Sequence, residues 1–298
     1  MPSECRVRVP ATTANLGPGF DCLGLTLDLW NEAEFTLAGQ GVEVSVEGEG
    51  AGRLPQDENN PIIAAARLVY QRAGQPLPGL RVRCKNCVPL GSGLGSSASA
   101  HLLGLLAGNF LLGQPFSRSE IHEMAVACEG HPDNVSAALF GGMVVAVRGE
   151  AGWLTRRYEL PPLRAALVFP DFDFPTKAAR AALPTQIPLR DAVYNLGRVV
   201  LVVDALRAGD LPLLAQVMSD RLHQPYRLPL VPGAAAAITA ATQAGAAAAI
   251  SGAGPSLIAF STGDSAPVAA AMAAAFAAAG LPSRSYHLSV TNSGACVE

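Results

Sequence analysis

From Pro89 to Ser97 the chain reads Pro-Leu-Gly-Ser-Gly-Leu-Gly-Ser-Ser, and it then runs straight into an apolar stretch ending near Leu112. Glycines at alternate positions (91, 93 and 95) let a backbone approach a ligand closely. The apolar stretch predicts a helix starting near Ser96, whose free N–H groups and positive dipole end face back into the loop. Such an arrangement is an anion site, most naturally for phosphate; the serines can add hydrogen bonds, or one can ligate a cation. Common nucleotide motifs do not fit. Ser96 stands where G-x-G-x-x-G needs glycine. A P-loop needs Gly-Lys-Ser/Thr, but the only two lysines, Lys85 and Lys177, precede Asn86 and Ala178. Protein-kinase signatures and the G-x-S-x-G elbow are absent too.

The 298 residues allow about two domains. With 50% hydrophobic and 15% charged residues, the chain can bury a large core, which excludes intrinsic disorder. A net charge of −3 argues against non-specific nucleic-acid binding, which needs clustered positive charge. The six cysteines are scattered through apolar surroundings and read as packing residues of a reducing compartment. Cys84 and Cys87 have zinc-pair spacing, but no second pair follows. The N-terminus lacks an apolar signal core, and the tracts near Ala234–Ala249 and Ala269–Ala279 are too rich in Ala and too often broken for membrane spans. A cytoplasmic protein is expected.

The pattern predicts strands at Cys5–Val9 (ended by Pro10), Glu34–Leu37, Val42–Glu47, Leu80–Cys84 and Met143–Val147. It predicts a helix from Pro61 to about Ala73 and another opened by the capping box Ser117-Arg-Ser-Glu120. Ala11–Gly24 reads as a polar, Gly-rich loop. A boundary is expected within Gly149–Pro162. Beyond it come strands at Ala165–Phe169, Ala247–Ile250, Leu257–Ser261 and Ser285–Val290, with helices over Asp191–Arg207 and Pro267–Ala279.

Three further segments concentrate polar groups. Pro10–Gly24 places Asn15 and Asp21 among small residues. Glu129-Gly-His131-Pro-Asp133-Asn134 packs two carboxylates, an imidazole and an amide into six positions; these could hold Mg²⁺ or contact an amine, or His131 could be structural. Ile250-Ser-Gly252-Ala-Gly254-Pro-Ser256 is another Gly-rich turn, by itself a tight hairpin.

In chain order the four segments resemble the homoserine kinases of the GHMP kinase superfamily, from about Val7 to Val290. Pro89–Ser97 and Ile250–Ser256 belong to the superfamily at large; Pro10–Gly24 and Glu129–Asn134 point to homoserine. The resemblance implies an α+β, two-domain GHMP kinase fold. A ribosomal-protein-S5-like domain would cover 1–155 and a ferredoxin-like domain 156–298, with ATP and substrate between them. It implies transfer of the γ-phosphate of ATP to the side-chain hydroxyl of L-homoserine, in threonine biosynthesis, and a homodimer. The ATP loop would be Pro89, Leu90, Gly91, Ser92, Gly93, Leu94, Gly95, Ser96, Ser97, Ala98 and Ser99, with Asn60 and Lys85 near the purine. Ser97 and Glu129 match the Mg²⁺ ligands. Asn15, Asp21, His131, Asp133, Thr176, Arg180 and Arg227 match substrate residues: an ammonium wants carboxylates, a carboxylate wants arginine forks. Asp133, Asn134 and Arg180 are the candidate catalytic residues. Mevalonate kinases are thought to use an Asp base, but counting back seven residues from Gly141 lands on Asn134, which cannot be one. The proton then goes to the γ-phosphate, or Asp133 assists. A different alcohol substrate, or a silent nucleotide binder, are the competing readings.

Overall fold

A computed structural model describes residues 2–298. The first sheet contains β1 (Glu4–Asn15), β2 (Gly19–Ala38), β3 (Val42–Gly48), β4 (Gly79–Asn86), β5 (Met143–Gly149), β6 (Gly152–Tyr158) and, from the far end of the chain, β11 (Cys296–Val297). Its order is β11-β1-β2-β4-β3, with β5 on the early part of β2 and β6 beyond it. The 20-residue β2 serves two neighbours: Leu23–Leu25 pairs with β5, and Glu32–Ala38 with β4. Four helices, α1 (Pro61–Arg72), α2 (Ser96–Leu111), α3 (Arg118–Glu129) and α4 (Asp133–Phe140), cover one face. Asn60 and Ser117 cap α1 and α3, the latter with the expected capping box.

The second sheet is β7 (Arg164–Pro170), β8 (Ala247–Ile250), β9 (Leu257–Phe260) and β10 (Ser283–Ser289), all antiparallel in the order β10-β7-β9-β8. Numbered from β7, that is 4-1-3-2, the ferredoxin-like arrangement. Helices α5 (Thr176–Ala181), α6 (Leu189–Ala208), α7 (Leu211–Val217), α8 (Gln224–Arg227) and α9 (Ala234–Gln243) lie between β7 and β8, and α10 (Ala266–Ala278) leads into β10. One apolar core lies under α1–α4. A second joins the two sheets, with Leu23, Leu25 and Met143 packed in the same cluster as Leu167, Ile258 and Phe260. This shared core fixes the cleft where the two units meet. A division at 155/156 falls inside β6, and β11 returns to the first sheet.

Two local expectations are corrected. Pro10 does not end the first strand; β1 continues to Asn15 with register shifts at Pro10/Ala11 and Ala14/Asn15. Proline is tolerated in a sheet at such irregularities. Nor is Ala11–Gly24 a loop. It is mostly the hairpin of β1 and β2, tight around Leu16–Pro18. Its small residues are there for packing: a side chain at Gly24 would run into the Asp133 carbonyl of α4. No described helix is long and apolar enough to cross a membrane; the Ala-rich tracts are α9, β8 and α10.

Candidate active site

The loop after β4 is locked by its surroundings. Gly95, in the left-handed region (φ 72°), precedes the first residue of α2 and accepts a hydrogen bond from the Ser99 N–H. Gly93 (φ 77°) presses against the β8–β9 turn, where a Cβ would collide with the Ser251 carbonyl. Ser251 donates to the Gly93 carbonyl at 2.9 Å. The segment is thus clamped between the two units, and its glycines satisfy both backbone shape and close approach. Gly91, Ser92, Gly93, Gly95, Ser96 and Ser97 line one cleft, beneath the N-terminus of α2.

The same cleft is lined by Asn15, Asp21, Glu129, His131, Asp133, Asn134, Thr176, Arg180 and Arg227, with Gly252 and Ala253. These come from the β1–β2 hairpin, the α3–α4 junction, α5, α8 and the β8–β9 turn. Asn15 (φ 69°) and Asp21 (φ 56°) hold left-handed backbone conformations, which cost about 1–3 kcal/mol each unless the surroundings impose them. Here they do: the Asn15 amide donates to the Gly252 carbonyl at 2.7 Å and accepts from the Asp21 N–H at 2.9 Å. Arg180 donates to both oxygens of Asp21 at 3.0 and 2.9 Å.

Arg227 is 2% exposed. Its Nε donates to the Ala179 carbonyl at 3.2 Å and its Nη1 to the Gly252 carbonyl at 3.3 Å. Burial and the nearby Arg180 pull its pKa down to about 10, so it stays charged at neutral pH. Its Nη1 also lies 3.3 Å from Nδ1 of His223, whose Nε2–H donates to the Gly17 carbonyl at 2.8 Å. Burial holds His223 below the usual histidine range, so Nδ1 is free to accept. Phe20 stacks on the His223 ring.

At the other wall, the His131 Nδ1–H donates to Asp133 at 2.8 Å, and the Asn134 N–H donates to the same Oδ1 at 2.7 Å. Burial works against charging His131, but Asp133 and Glu129 outweigh it and raise its pKa. Burial likewise opposes the Glu129 anion. Hydrogen bonds from His101 (3.1 Å) and Ser97, with the charge of His131, still hold it below the carboxylate range. Asn134 accepts from Thr12 at 2.8 Å.

Not every expected residue reaches the cleft. Leu94 and Ala98 are core residues, and Ser99 is fully buried with its hydroxyl accepting from Asn31. Asn60 lines a neighbouring cavity of about 220 Å³, mostly apolar, which shares Gly91, Ser96 and Ser97 with the main cleft. Lys85 does not join it. Along β4 the exposed residues Arg81, Arg83 and Lys85 alternate with the buried Val82, Cys84 and Asn86, so Lys85 points away from Asn60. Conversely, His101, Thr12, Phe20 and His223 join the site without any expectation from the sequence. His101 lies four residues after Ser97, and His223 four before Arg227; that helical spacing is their only trace in the chain.

The description "GHMP kinases N terminal domain" matches residues 60–142, and "GHMP kinases C terminal" matches 202–278. The homoserine kinase of Moorella thermoacetica is 44% identical over 293 residues, covering 98% of this chain and 99% of that protein. The chain belongs to the homoserine kinase family. A Synechococcus homoserine kinase is also 44% identical, over 98% of this chain and 97% of its own. The crystal structure of homoserine kinase from Cytophaga hutchinsonii superposes with a TM-score of 0.88 at 34% identity, covering 100% and 98% of the two chains. L. major mevalonate kinase shares the fold alone: at 17% identity over 96% of each chain, it has a TM-score of 0.71. Membership makes this chain an ATP-dependent small-molecule kinase with an alcohol acceptor.

Proposed function

We propose that the chain transfers the γ-phosphate of ATP to the side-chain hydroxyl of L-homoserine, giving O-phospho-L-homoserine for threonine biosynthesis. The observation that carries this reading is the pairing, in one cleft, of a phosphate-type loop with Arg180, Arg227, Asp21 and Asp133. Homoserine brings a carboxylate, an ammonium and a terminal hydroxyl. Arg227 has no hydrogen bond from Nη2 among the described residues and lines the cleft, ready for a carboxylate beside Arg180. Asn15, Asp21 and Asp133 suit the ammonium, while His131 and Thr176 fix the remaining walls.

The triphosphate lies along Gly91–Ser97 under the α2 N-terminus, and the adenine enters the apolar cavity lined by Asn60. Ser97 and Glu129 fit Mg²⁺. They are two hard oxygen donors held together at the phosphate end, and this ion usually takes one or two protein ligands with phosphate oxygens and water. Bound there, Mg²⁺ would neutralise charge on the transferring phosphate. Asp133 already uses Oδ1 for His131 and Asn134, so it orients the substrate, and the hydroxyl proton passes to the phosphate. Asn134 holds Asp133 and Thr12 in place, and Arg180 neutralises charge at the acceptor end. The enzyme works in the cytoplasm, where its ATP is made, as a homodimer.

A coupled ADP-release assay with Mg²⁺-ATP and a panel of L-homoserine, L-serine, mevalonate and galactose tests the reading. Homoserine-selective turnover is expected. Equal turnover with mevalonate or galactose would assign the site to another alcohol. Glu129→Gln should raise the Mg²⁺ concentration needed for half-maximal rate.

A further inference from the structure

The Arg227 guanidinium is held from one side. Nε donates to the Ala179 carbonyl of α5 at 3.2 Å, and the two Nη1 protons are divided between the Gly252 carbonyl and Nδ1 of His223, both at 3.3 Å. Only the Nη2 protons are left for the cleft. Two of the three acceptors are backbone; His223 is the one side chain. Its ring is fully buried and fixed in turn. The Nε2–H donates to the Gly17 carbonyl at 2.8 Å. Phe20 stacks on the ring with centroids 5.2 Å apart, and the Arg227 guanidinium carbon lies 5.2 Å from the same Phe20. Asp220 has one oxygen 3.5 Å from Nε2, but it does not compete for that proton. Its carboxylate already accepts from the Leu222, His223 and Gln224 N–H groups and from the Asn195 amide. Nδ1 therefore carries the lone pair, and a proton there would face a guanidinium proton.

We infer that His223 is the positioning residue for Arg227: by taking one Nη1 proton it turns the guanidinium so that the acceptor's carboxylate is met end-on, through Nη2 alone, and not by the two-pronged fork. The inference rests on the reading of the cleft as a homoserine site. It names the side chain that sets the preference for an alcohol bearing a carboxylate. Without the imidazole, one buried N–H loses its partner and the guanidinium is free to tilt, a loss felt at Nη2.

Two replacements separate the two ring nitrogens. Asparagine puts an amide oxygen near the place of Nδ1 and gives up the Nε2–H; glutamine puts an amide nitrogen near Nε2 and gives up the Nδ1 lone pair. Initial rates are measured with L-homoserine and with 3-aminopropan-1-ol, which lacks the carboxylate. His223→Gln should raise KM for homoserine at least about tenfold, with kcat within about threefold and little change on the truncated alcohol. His223→Asn should stay within about threefold of the intact enzyme on both substrates. A ring that only braces the Gly17 turn predicts the reverse, with glutamine restoring function and asparagine failing. That result would overturn the inference, as would equal behaviour of the two variants or a His223→Gln loss of the same size on both alcohols. An intact enzyme that does not phosphorylate homoserine would remove the catalytic reading and this inference with it; normal turnover with indistinguishable variants would remove the inference alone.

Discussion

The two ends of the cleft are made differently. The phosphate end is backbone: one continuous segment, Gly91–Ser97, whose glycines and following helix supply N–H donors with few side chains involved. The acceptor end is side chains: Asn15, Asp21, Asp133, Arg180 and Arg227 arrive from separate places in both units and are held by one another. A triphosphate is the same in every kinase of this superfamily, so a local backbone cradle suffices. The acceptor alcohol differs between members, and its recognition must come from groups that can be exchanged singly. Loss of one acceptor-end residue should therefore affect homoserine alone, while damage to the cradle should affect ATP.

The largest effect is expected at the buried arginine. Arg227→Ala should lower kcat/KM for homoserine by about 100- to 1,000-fold, since truncating one partner of a buried charged contact costs about 2–5 kcal/mol. Initial-rate kinetics should show KM for ATP within about twofold of the intact enzyme. At the other end, Gly93→Ala forces a side chain into a left-handed position facing the Ser251 carbonyl. Strain of about 1–3 kcal/mol predicts a rise of roughly 10- to 100-fold in KM for ATP, with little change in KM for homoserine. A change of similar size in both constants would show that the ends are not independent.

Asp133→Asn sharpens the comparison by separating binding from proton transfer. If Asp133 orients the substrate, KM for homoserine should rise about tenfold while turnover at saturation holds. If saturated turnover instead drops by roughly 100-fold or more with KM unchanged, Asp133 is the base. The smallest effect is on stability. His223 is neutral in the fold because burial lowers its pKa, whereas the unfolded chain protonates it near pH 6.5. Below that pH the unfolded state binds more protons, so stability falls as pH drops toward the folded pKa. Melting curves from about pH 7.5 to about pH 5 should show a shallower acid-side loss in His223→Gln; an identical slope would mean that His223 takes up its proton at the same pH in the fold as in the unfolded chain.

The same contrast explains what can be read from sequence. The cradle is contiguous, so Gly91–Ser97 and the helix behind it are visible from composition and order alone. The capping box at Ser117 is visible for the same reason. Arg180 and Arg227 carry no local mark, and only resemblance to a family points to them. The β1–β2 hairpin reads as a loop because its small residues answer to packing against α4, not to strand propensity. Helix α4 escapes the pattern because its first turn, Asp133 and Asn134, is polar and follows a proline. Lys85 goes to the wrong side against a signal that is present, the two-residue alternation of β4, which puts it on the water face with Arg81 and Arg83.

Arg227 meeting the carboxylate of the acceptor is the contact on which the acceptor end depends. The direct measurement is kcat/KM for L-homoserine and for 3-aminopropan-1-ol, the same molecule without its carboxylate, in the intact enzyme and in Arg227→Ala. The intact enzyme should lose at least about 100-fold on the truncated substrate, and the variant less than about fivefold, because the partner of the missing group is already gone. An equal loss in both proteins would show that the carboxylate is held elsewhere, and that the acceptor end is not built as described.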